Sequence, residues 1–219
     1  MKKLFSLTLM FLLALCAVQS AFAMTIDLWS GFPDTQGQNN FWAYAYNPNT
    51  NSYRPLTDSG AYSFSTPGQG CLVPLLYRDN NSPWIVMHPA SYPGGQGVIY
   101  STEYAVLAYR ATGASLFDLD VQFQSVISPL VNVFIKKNNS LLWSVNLSGS
   151  NGAAFNVANI DMNANDFLYF GVSPAGTDYY DTTILKGTMN VSPIPEPGTL
   201  MLLGTGLVGL LGFKRSFKS

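Results

Sequence analysis

Short apolar runs separated by turn residues constrain the fold of this chain more than any other sequence feature. Between residues 24 and 191 there is no long stretch with a helical apolar period and no run of strong helix formers. Runs rich in β-branched and aromatic residues instead alternate with connectors rich in Asn, Gly and Pro, a pattern typical of strands joined by turns. Strands are predicted at residues 41–46, 61–65, 71–77, 84–87, 103–110, 116–124, 130–137, 140–147, 153–160, 167–173 and 182–191.

Eleven short strands at this spacing predict an all-β fold, an antiparallel β-sandwich or jelly roll over residues 24–191. In such a fold two sheets bury their apolar faces against each other. The clearest hairpin joins residues 131–135 to 141–145, because Asn138 and Asn139 between them tolerate the left-handed backbone of a tight turn. A chain of 219 residues with 47% hydrophobic residues is long enough to bury one substantial core.

The first 23 residues have the pattern of a secretory signal peptide. Lys2 and Lys3 form a basic start, residues 4–18 an apolar segment, and Ala21 and Ala23 flank Phe22 in an A-x-A cleavage site for signal peptidase. The alternative is a permanent membrane anchor. A spanning helix needs about 20 apolar residues, which is more than this segment offers, so we predict cleavage and export through the inner membrane.

Charged residues are scarce. Asp, Glu, Lys and Arg make up 11% of the chain, against about 25% in typical soluble proteins. Residues 24–196 contain six basic and twelve acidic side chains, a net charge of −6. This surface excludes a nucleic-acid partner and disfavours polyanionic ligands, because it provides no overall basic field. Its polar groups are mostly uncharged Asn, Ser, Thr and Gly, which can hydrogen-bond sugars.

The C-terminal residues 192–219 form a three-part tail. Pro195, Glu196 and Pro197 interrupt the strand pattern, residues 199–213 are uncharged and mostly apolar, and Lys214 and Arg215 begin a basic end at 214–219. As a helix, the apolar segment would cover about 22 Å, short of a hydrocarbon core of about 30 Å. It suits a transient stop in the inner membrane, with the basic end cytoplasmic and the domain on the other side.

This tail resembles the PEP-CTERM sorting signal of exopolysaccharide-producing Gram-negative bacteria. The resemblance implies processing by an exosortase, an integral-membrane cysteine transpeptidase that would cut near Glu196. Before processing the protein would be anchored in the inner membrane, and afterwards it would lie in the cell envelope or outside the cell. The alternative is an ordinary C-terminal transmembrane helix that stays in place.

A second resemblance covers most of residues 24–191. Residues 42–46, His88 with Pro89, residues 165–172 and residues 180–185 resemble the jelly-roll domain often found ahead of PEP-CTERM tails. That domain is similar in outline to carbohydrate-binding modules. Such modules carry Gly before the Asp of one turn, where this chain has Asn165, and Asn also accepts a positive φ.

Aromatic residues supply the candidate ligand-binding positions. Trp42, Tyr44 and Tyr46 alternate with smaller residues, so a strand would present all three on one face. An aromatic row can stack on the C–H faces of sugars while neighbouring amides bind the hydroxyls. The alternative is that this row faces the core. Further aromatics are predicted in loops or at a rim, where they could line a cleft: Trp84, Tyr92, Tyr179 and Tyr180.

Metal and catalytic candidates are few. Asp178 and Asp181 flank two tyrosines in a Gly- and Thr-rich turn and could hold a structural calcium ion, or simply form an Asx turn. No nucleophile elbow accompanies His88, and Cys71 lies in an apolar run. No phosphate-loop, zinc or dinucleotide spacing is present. We therefore predict no enzyme and no cofactor beyond that calcium, with a glycoside hydrolase as the remaining enzymatic alternative.

Taken together, these features predict an exported, exosortase-processed, non-catalytic protein. It would act in the cell envelope or in the extracellular polysaccharide matrix of a biofilm, through interaction with exopolysaccharide. The alternative is a purely structural surface or matrix protein that binds no specific glycan.

Overall fold

The structure is a computed structural model that describes residues 23–60, 62–65, 74–89, 103–126, 130–174, 182–194 and 204–206. Residues Met24–Val191 form one compact unit, and residues 1–23 and 192–219 are grouped in another. The first unit is built from two antiparallel sheets, whereas residues 204–206, in the apolar segment of the tail, are helical.

One sheet has eight strands. They are β1 (Met24–Asp27), β4 (Thr57–Gly60), β5 (Ser63–Ser65), β6 (Leu75–Arg78), β7 (Ile85–His88), β9 (Ser115–Ser125), β12 (Gly152–Met162) and β14 (Thr183–Pro193). Their order is β12-β9-β14-β7-β6-β5-β4, and β1 pairs with β14 beyond the end of β7.

The other sheet has six strands. They are β2 (Phe41–Asn47), β3 (Ser52–Pro55), β8 (Tyr104–Arg110), β10 (Val131–Lys137), β11 (Ser140–Leu147) and β13 (Phe167–Pro174), in the order β11-β10-β13-β8-β2-β3. A short helix, α1 (Leu28–Gly31), is capped by the Asp27 side chain, which accepts a hydrogen bond from the Ser30 amide. A turn of 3₁₀ helix, Gln38–Asn40, leads into β2.

The main core lies between the two sheets. Strand β9 shows the reason: Phe117, Leu119, Val121 and Phe123 occur at every second position and are all buried, while the residues between them are half-buried or exposed. Strands β2, β8, β10 and β13 contribute buried residues from the opposite sheet. The prediction of an all-β antiparallel sandwich is confirmed.

All eleven predicted strands correspond to a strand of the structure, within a few residues at each end. The strand predicted at 71–77 is observed as Leu75–Arg78, and residues 71–73 lie outside the described residues. Strands β1, β3 and β4 and helix α1 were not predicted. Strand β4, Thr-Asp-Ser-Gly, is exposed throughout, so it has no apolar alternation to mark it.

The predicted hairpin is confirmed as the β10–β11 pair, in which Val133 lies opposite Val145. Asn138 has a φ of 50° at its turn, and Asn165 has a φ of 70° where related modules are expected to carry Gly. Both asparagines thus adopt the left-handed backbone expected for their turns.

Within the described residues, no helix has the length and apolar character needed to cross a membrane. Most of the two apolar terminal segments, 4–18 and 199–213, falls outside those residues. So do the predicted processing positions, with the exception of Ala23, which is exposed: Ala21, Pro195, Glu196, Pro197, Lys214 and Arg215. Their roles in cleavage and sorting therefore stay predictions.

Candidate functional site

Strand β2 places the predicted aromatic row on the outer side of the six-stranded sheet. Phe41, Ala43 and Ala45 are fully buried in the core between the sheets. Trp42, Tyr44 and Tyr46 alternate with them and therefore point the other way. The alternative that this row faces the main core is wrong. The core side of β2 is filled by a phenylalanine and two alanines instead.

Other strands of the same sheet bring further aromatic side chains to this outer side. Tyr46 lies opposite Tyr53 of β3 on one flank and opposite Tyr104 of β8 on the other. Strands β10 and β13 add three more, in the register that aligns them with β8. We call this surface the aromatic face and define it by Trp42, Tyr44, Tyr46, Tyr53, Tyr104, Phe134, Phe167 and Tyr169.

Small residues at the centre of the sheet let these side chains converge. Val106 lies opposite both Tyr44 and Gly171, and Gly171 lies opposite Phe134. Val106, Tyr46 and Phe134 are buried in an apolar cluster of their own, separate from the main core. The sheet is therefore packed on both sides.

Gly171 is necessary for this packing. A Cβ atom at that position would lie 2.0 Å from Cζ of Phe134, far inside van der Waals contact. The phenyl ring thus rests directly on the backbone of β13. Because such contacts hold the rings in place before any ligand arrives, binding to them would cost little side-chain entropy.

The rings stack on one another or meet edge to face, so they do not form a flat surface. Tyr53 and Tyr169 are stacked with centroids 4.4 Å apart and planes 14° apart, and Tyr169 stacks on Phe167 at 5.6 Å and 12°. Trp42 meets Phe167 edge to face at 5.9 Å, and Tyr44 meets Tyr53 in the same way at 5.8 Å. Each ring of the predicted row thus has an aromatic neighbour from another strand.

Two cations lie over these rings. The Arg110 guanidinium carbon is 4.9 Å from the centroid of Trp42, and Lys136 Nζ is 4.6 Å from Tyr46 and 5.1 Å from Phe134. All three distances are within the range of cation–π attraction. The aromatic face therefore combines ring surface with positive charge.

The phenol groups of Tyr44, Tyr53 and Tyr169 stay neutral at physiological pH. Burial raises the pKa of Tyr53, helped by Tyr169 and Tyr46, and burial with Tyr44 raises the pKa of Tyr169 to about 12. Burial also raises the pKa of Tyr44, although Arg110 acts against it. Neutral hydroxyls can both donate and accept hydrogen bonds.

One hydroxyl is already engaged within the protein. Tyr46 Oη donates to Oδ1 of Asn51 at 2.9 Å. Tyr104 is also held: burial raises its pKa, and its hydrogen bond with Ser173 partly offsets that effect. These two tyrosines support the surface, while Tyr44, Tyr53 and Tyr169 are half-buried and therefore partly accessible.

The remaining predicted positions do not join this surface in the described part of the chain. Trp84 is half-buried and precedes β7 of the other sheet, where its carbonyl oxygen accepts a hydrogen bond from the Asp79 amide. The other loop aromatics and both calcium candidates lie outside the described residues: Tyr92, Tyr179, Tyr180, Asp178 and Asp181.

Asp118 on β9 has a structural role. Asp118 Oδ1 accepts the amide hydrogen of Asn159 at 2.8 Å, which supports a bulge in β12. Across the described ranges, no group of three or more His, Cys, Asp or Glu side chains is arranged to hold a metal ion. The calcium site at Asp178 and Asp181 stays a prediction.

Five of the eight rings of the aromatic face were not predicted as site residues: Tyr53, Tyr104, Phe134, Phe167 and Tyr169. Phe167 and Tyr169 carried a local signal, because aromatic residues two positions apart share one face of a strand. Their proximity to Tyr53, however, depends on the register of four strands.

Comparison with known families identifies the tail. Residues 193–216 match the model of the PEP-CTERM protein-sorting motif. The chain carries a PEP-CTERM sorting motif. The match includes Pro195, Glu196, Pro197, Lys214 and Arg215, so the resemblance stated from the sequence is confirmed. No curated protein matches the chain.

Among solved structures, the domain ahead of the PEP-CTERM motif is similar to several β-sandwich modules. The CBM36-1 domain of a multidomain xylanase from the hindgut metagenome of Trinervitermes trinervoides is 12% identical, with a TM-score of 0.30, covering 71% of this chain and 98% of its own. The K3 cleaved adhesin domain of Lys-gingipain from Porphyromonas gingivalis is 10% identical, with a TM-score of 0.41, covering 78% and 98%. CBM51 from Clostridium perfringens GH95, solved with methyl-galactose, is 8% identical, with a TM-score of 0.37, covering 76% and 99%.

Proposed function

We propose that this protein is a non-catalytic carbohydrate-binding protein of the cell envelope or extracellular polysaccharide matrix, exported and processed by an exosortase. The observation that carries the proposal is the aromatic face. Eight aromatic side chains gather on the outer side of a sheet whose inner side already packs on the main core. Six of these eight side chains are half-buried and therefore partly accessible, and a contiguous accessible aromatic surface is a candidate interaction site.

The chemistry of the aromatic face suits a sugar ligand. Ring faces and edges contact the C–H groups of a pyranose, and phenol hydroxyls of Tyr44, Tyr53 and Tyr169 can bind its hydroxyls. Next to the rings, on β10 and β11, the Asn132 amide donates to Oδ1 of Asn146 at 2.8 Å. Amides and hydroxyls on these strands extend the polar contacts beyond the rings.

The composition of the same sheet supports binding rather than hydrolysis. A glycoside hydrolase needs two carboxyl groups on either side of the scissile bond. The six strands of this sheet contain neither Asp nor Glu. A sugar held on the aromatic face would therefore meet no pair of strand-borne acids.

Retention on glycans tests the proposal. The processed protein, purified from the bacterium that produces it, is expected to bind that bacterium's exopolysaccharide and selected glycans of an array. Trp42→Ala should weaken binding about two- to tenfold, because an aromatic contact contributes about 0.5–1.5 kcal/mol beyond area burial. Trp84→Ala is the matched control, since it removes a half-buried Trp near the other sheet, and thermal melting checks that both variants fold. Absence of retention on every glycan would favour the purely structural role.

Processing has its own test. We expect the wild-type protein in the envelope or medium with an intact mass that ends near residues 195–198. Glu196→Ala should leave the full-length chain in the inner-membrane fraction, because the substitution removes the acidic residue between the two prolines. Asp58→Ala, at an exposed acid of β4, should be processed like the wild type. A full-length wild-type tail in the inner membrane would contradict exosortase processing.

A further inference from the structure

Charge is divided unevenly between the two sheets. The strands of the six-stranded sheet carry four cations and no acid: Arg54, Arg110, Lys136 and Lys137. The strands of the eight-stranded sheet carry five acids and two cations: Asp27, Asp58, Asp118, Asp120, Asp161, Arg78 and Lys186. The strands of the six-stranded sheet are therefore positively charged, although residues 24–196 as a whole carry a net charge of −6.

The four cations of the six-stranded sheet differ in their partners. Arg54 forms an ion pair with Glu103 at 2.6 Å, and Lys137 lies 3.5 Å from Asp166. Arg110 and Lys136 form no ion pair with any described carboxylate; both instead lie over aromatic rings. These two cations share the outer side of the sheet with the aromatic face, because Arg110 lies opposite Phe167 and Lys136 lies opposite Tyr169.

We infer that the aromatic face selects acidic polysaccharides, whose sugar rings pack against the accessible edges and faces of the aromatic side chains while their carboxylates bind Arg110 and Lys136. This inference rests on the proposed function and names the ligand class for the same surface. The two cations come from β8 and β10, the strands on either side of β13, and their charged groups lie over Trp42 and over Tyr46 and Phe134. A sugar bound on the aromatic face beside these rings would meet a positive group.

The energetics favour this arrangement locally. A charge-assisted hydrogen bond is roughly twice as strong as a neutral one, and the guanidinium of Arg matches a carboxylate in bidentate geometry. Both cations are half-buried beside rings, so solvent competes less for a bound carboxylate than on an open surface. The acids of the other sheet oppose binding weakly, because salt screens exposed charges beyond about 8 Å.

The tyrosines do not cancel this positive charge. Their raised pKa values keep the phenols of Tyr44, Tyr53, Tyr104 and Tyr169 uncharged at neutral pH. Among the described residues, the net charge of the aromatic face is thus set by Arg110 and Lys136. The overall acidity of the domain, from which the sequence predicts little affinity for polyanions, does not describe this surface.

Matched glycan pairs test the inference. Oligosaccharides of polygalacturonate, alginate and hyaluronan are each compared with their carboxyl-reduced forms, which keep the sugar ring and lose the charge. Calorimetry on the processed protein should give at least tenfold tighter binding to the acidic member of the best pair. That binding should weaken as NaCl is raised, while binding to the neutral member should not.

Two variants assign the effect to residues. Arg110→Gln and Lys136→Met should each reduce the preference for the acidic member severalfold while retaining binding to the neutral member, since the rings remain. Lys186→Gln, which removes a cation of the other sheet, should keep the full preference. If a substitution fails to fold, the salt series on the wild type still tests the acidic selectivity itself, because it needs no variant.

The outcomes separate the two proposals. Equal binding to both members of every pair, or a preference for neutral glycans on the array, overturns the acidic selectivity and leaves carbohydrate binding standing. Binding to no member of any pair and to no glycan on the array overturns both. A preference that survives both Arg110→Gln and Lys136→Met overturns the assignment to these cations.

Discussion

At Gly171 the sheet leaves room for no side chain, and this one position shows how closely the aromatic face is fitted to the backbone beneath it. The Phe134 ring occupies the volume that a Cβ atom would fill. Val106, beside it on β8, is fully buried by the surrounding rings. At the residue scale, the surface is therefore determined by its small residues as much as by its large ones.

Gly171→Ala is expected to destabilise the domain by about 1–3 kcal/mol, the usual cost of overpacking, because Phe134 must move away from the backbone. Urea denaturation measures this as a lower midpoint at an unchanged slope. Gly113→Ala is the control, since a Cβ there meets no atom within 4 Å. If both variants unfold at the wild-type urea concentration, Phe134 is not held against β13 as described.

At the element scale, Asn138 joins the β10–β11 turn to the start of β13. Its Oδ1 accepts the amide hydrogen of Phe167, and its Nδ2 donates to Oδ1 of Asp166, each at 2.8 Å. Hydrogen bonds from the Asn163 amide and from Asn138 lower the pKa of Asp166, with a smaller effect from Lys137. The turn thereby fixes where Phe167 begins the stack of rings.

Asn138→Gly should destabilise the domain by about 1–3 kcal/mol. Glycine keeps the positive φ, but the Phe167 amide and the Asp166 carboxylate each lose their hydrogen bond with Asn138. Thermal denaturation at neutral pH measures the loss. Asn139→Ala, at the exposed neighbour in the same turn, should change stability much less. Equal effects of the two substitutions would mean that the turn alone, and not its contact with β13, is important.

Sequence patterns predicted the apolar strands and failed on the polar ones. Alternation of apolar and polar residues predicts strands such as β9. Strands β3 and β4 lack it and form by pairing with β2 and β5 at the edges of the sheets. For the site, period-two alternation correctly placed Trp42, Tyr44 and Tyr46 on one face. It could not say which face, because the residues between them are also apolar.

At the scale of the whole molecule, the six-stranded sheet is apolar on both sides. Its inner side packs on the main core, and its outer side carries a second cluster around Tyr46 and Phe134. Strands buried on both faces read as nearly continuous apolar runs, as in β8, where residues 105–109 are all buried. Because tyrosines of this sheet are buried, the stability of the domain should depend on pH in the alkaline range.

Stability should fall as the pH rises above about 10, the ordinary pKa of Tyr. The unfolded chain then loses phenolic protons that the folded protein retains, because burial raises the pKa of Tyr53, Tyr104 and Tyr109, and that of Tyr169 to about 12. Stability therefore decreases until the folded pKa values are passed. Melting temperatures across this range measure the effect, with parallel ultraviolet titration of phenolate. Tyr53→Phe should reduce the slope, and an unchanged slope would contradict the burial of that phenol.

The pairing of β1 with β14 brings together the two ends of the domain that are expected to be cut. Met24, next to the predicted signal-peptide cleavage site, lies opposite Val191, a few residues before the sorting motif. Along its length, β14 is bonded to β9, to β7 and to β1. A pull on a C-terminal attachment would reach this inner strand first and would load its hydrogen bonds in shear, together rather than one by one. Tension applied through such an attachment would thus be carried by the eight-stranded sheet. The aromatic face, on the six-stranded sheet, would not have to deform.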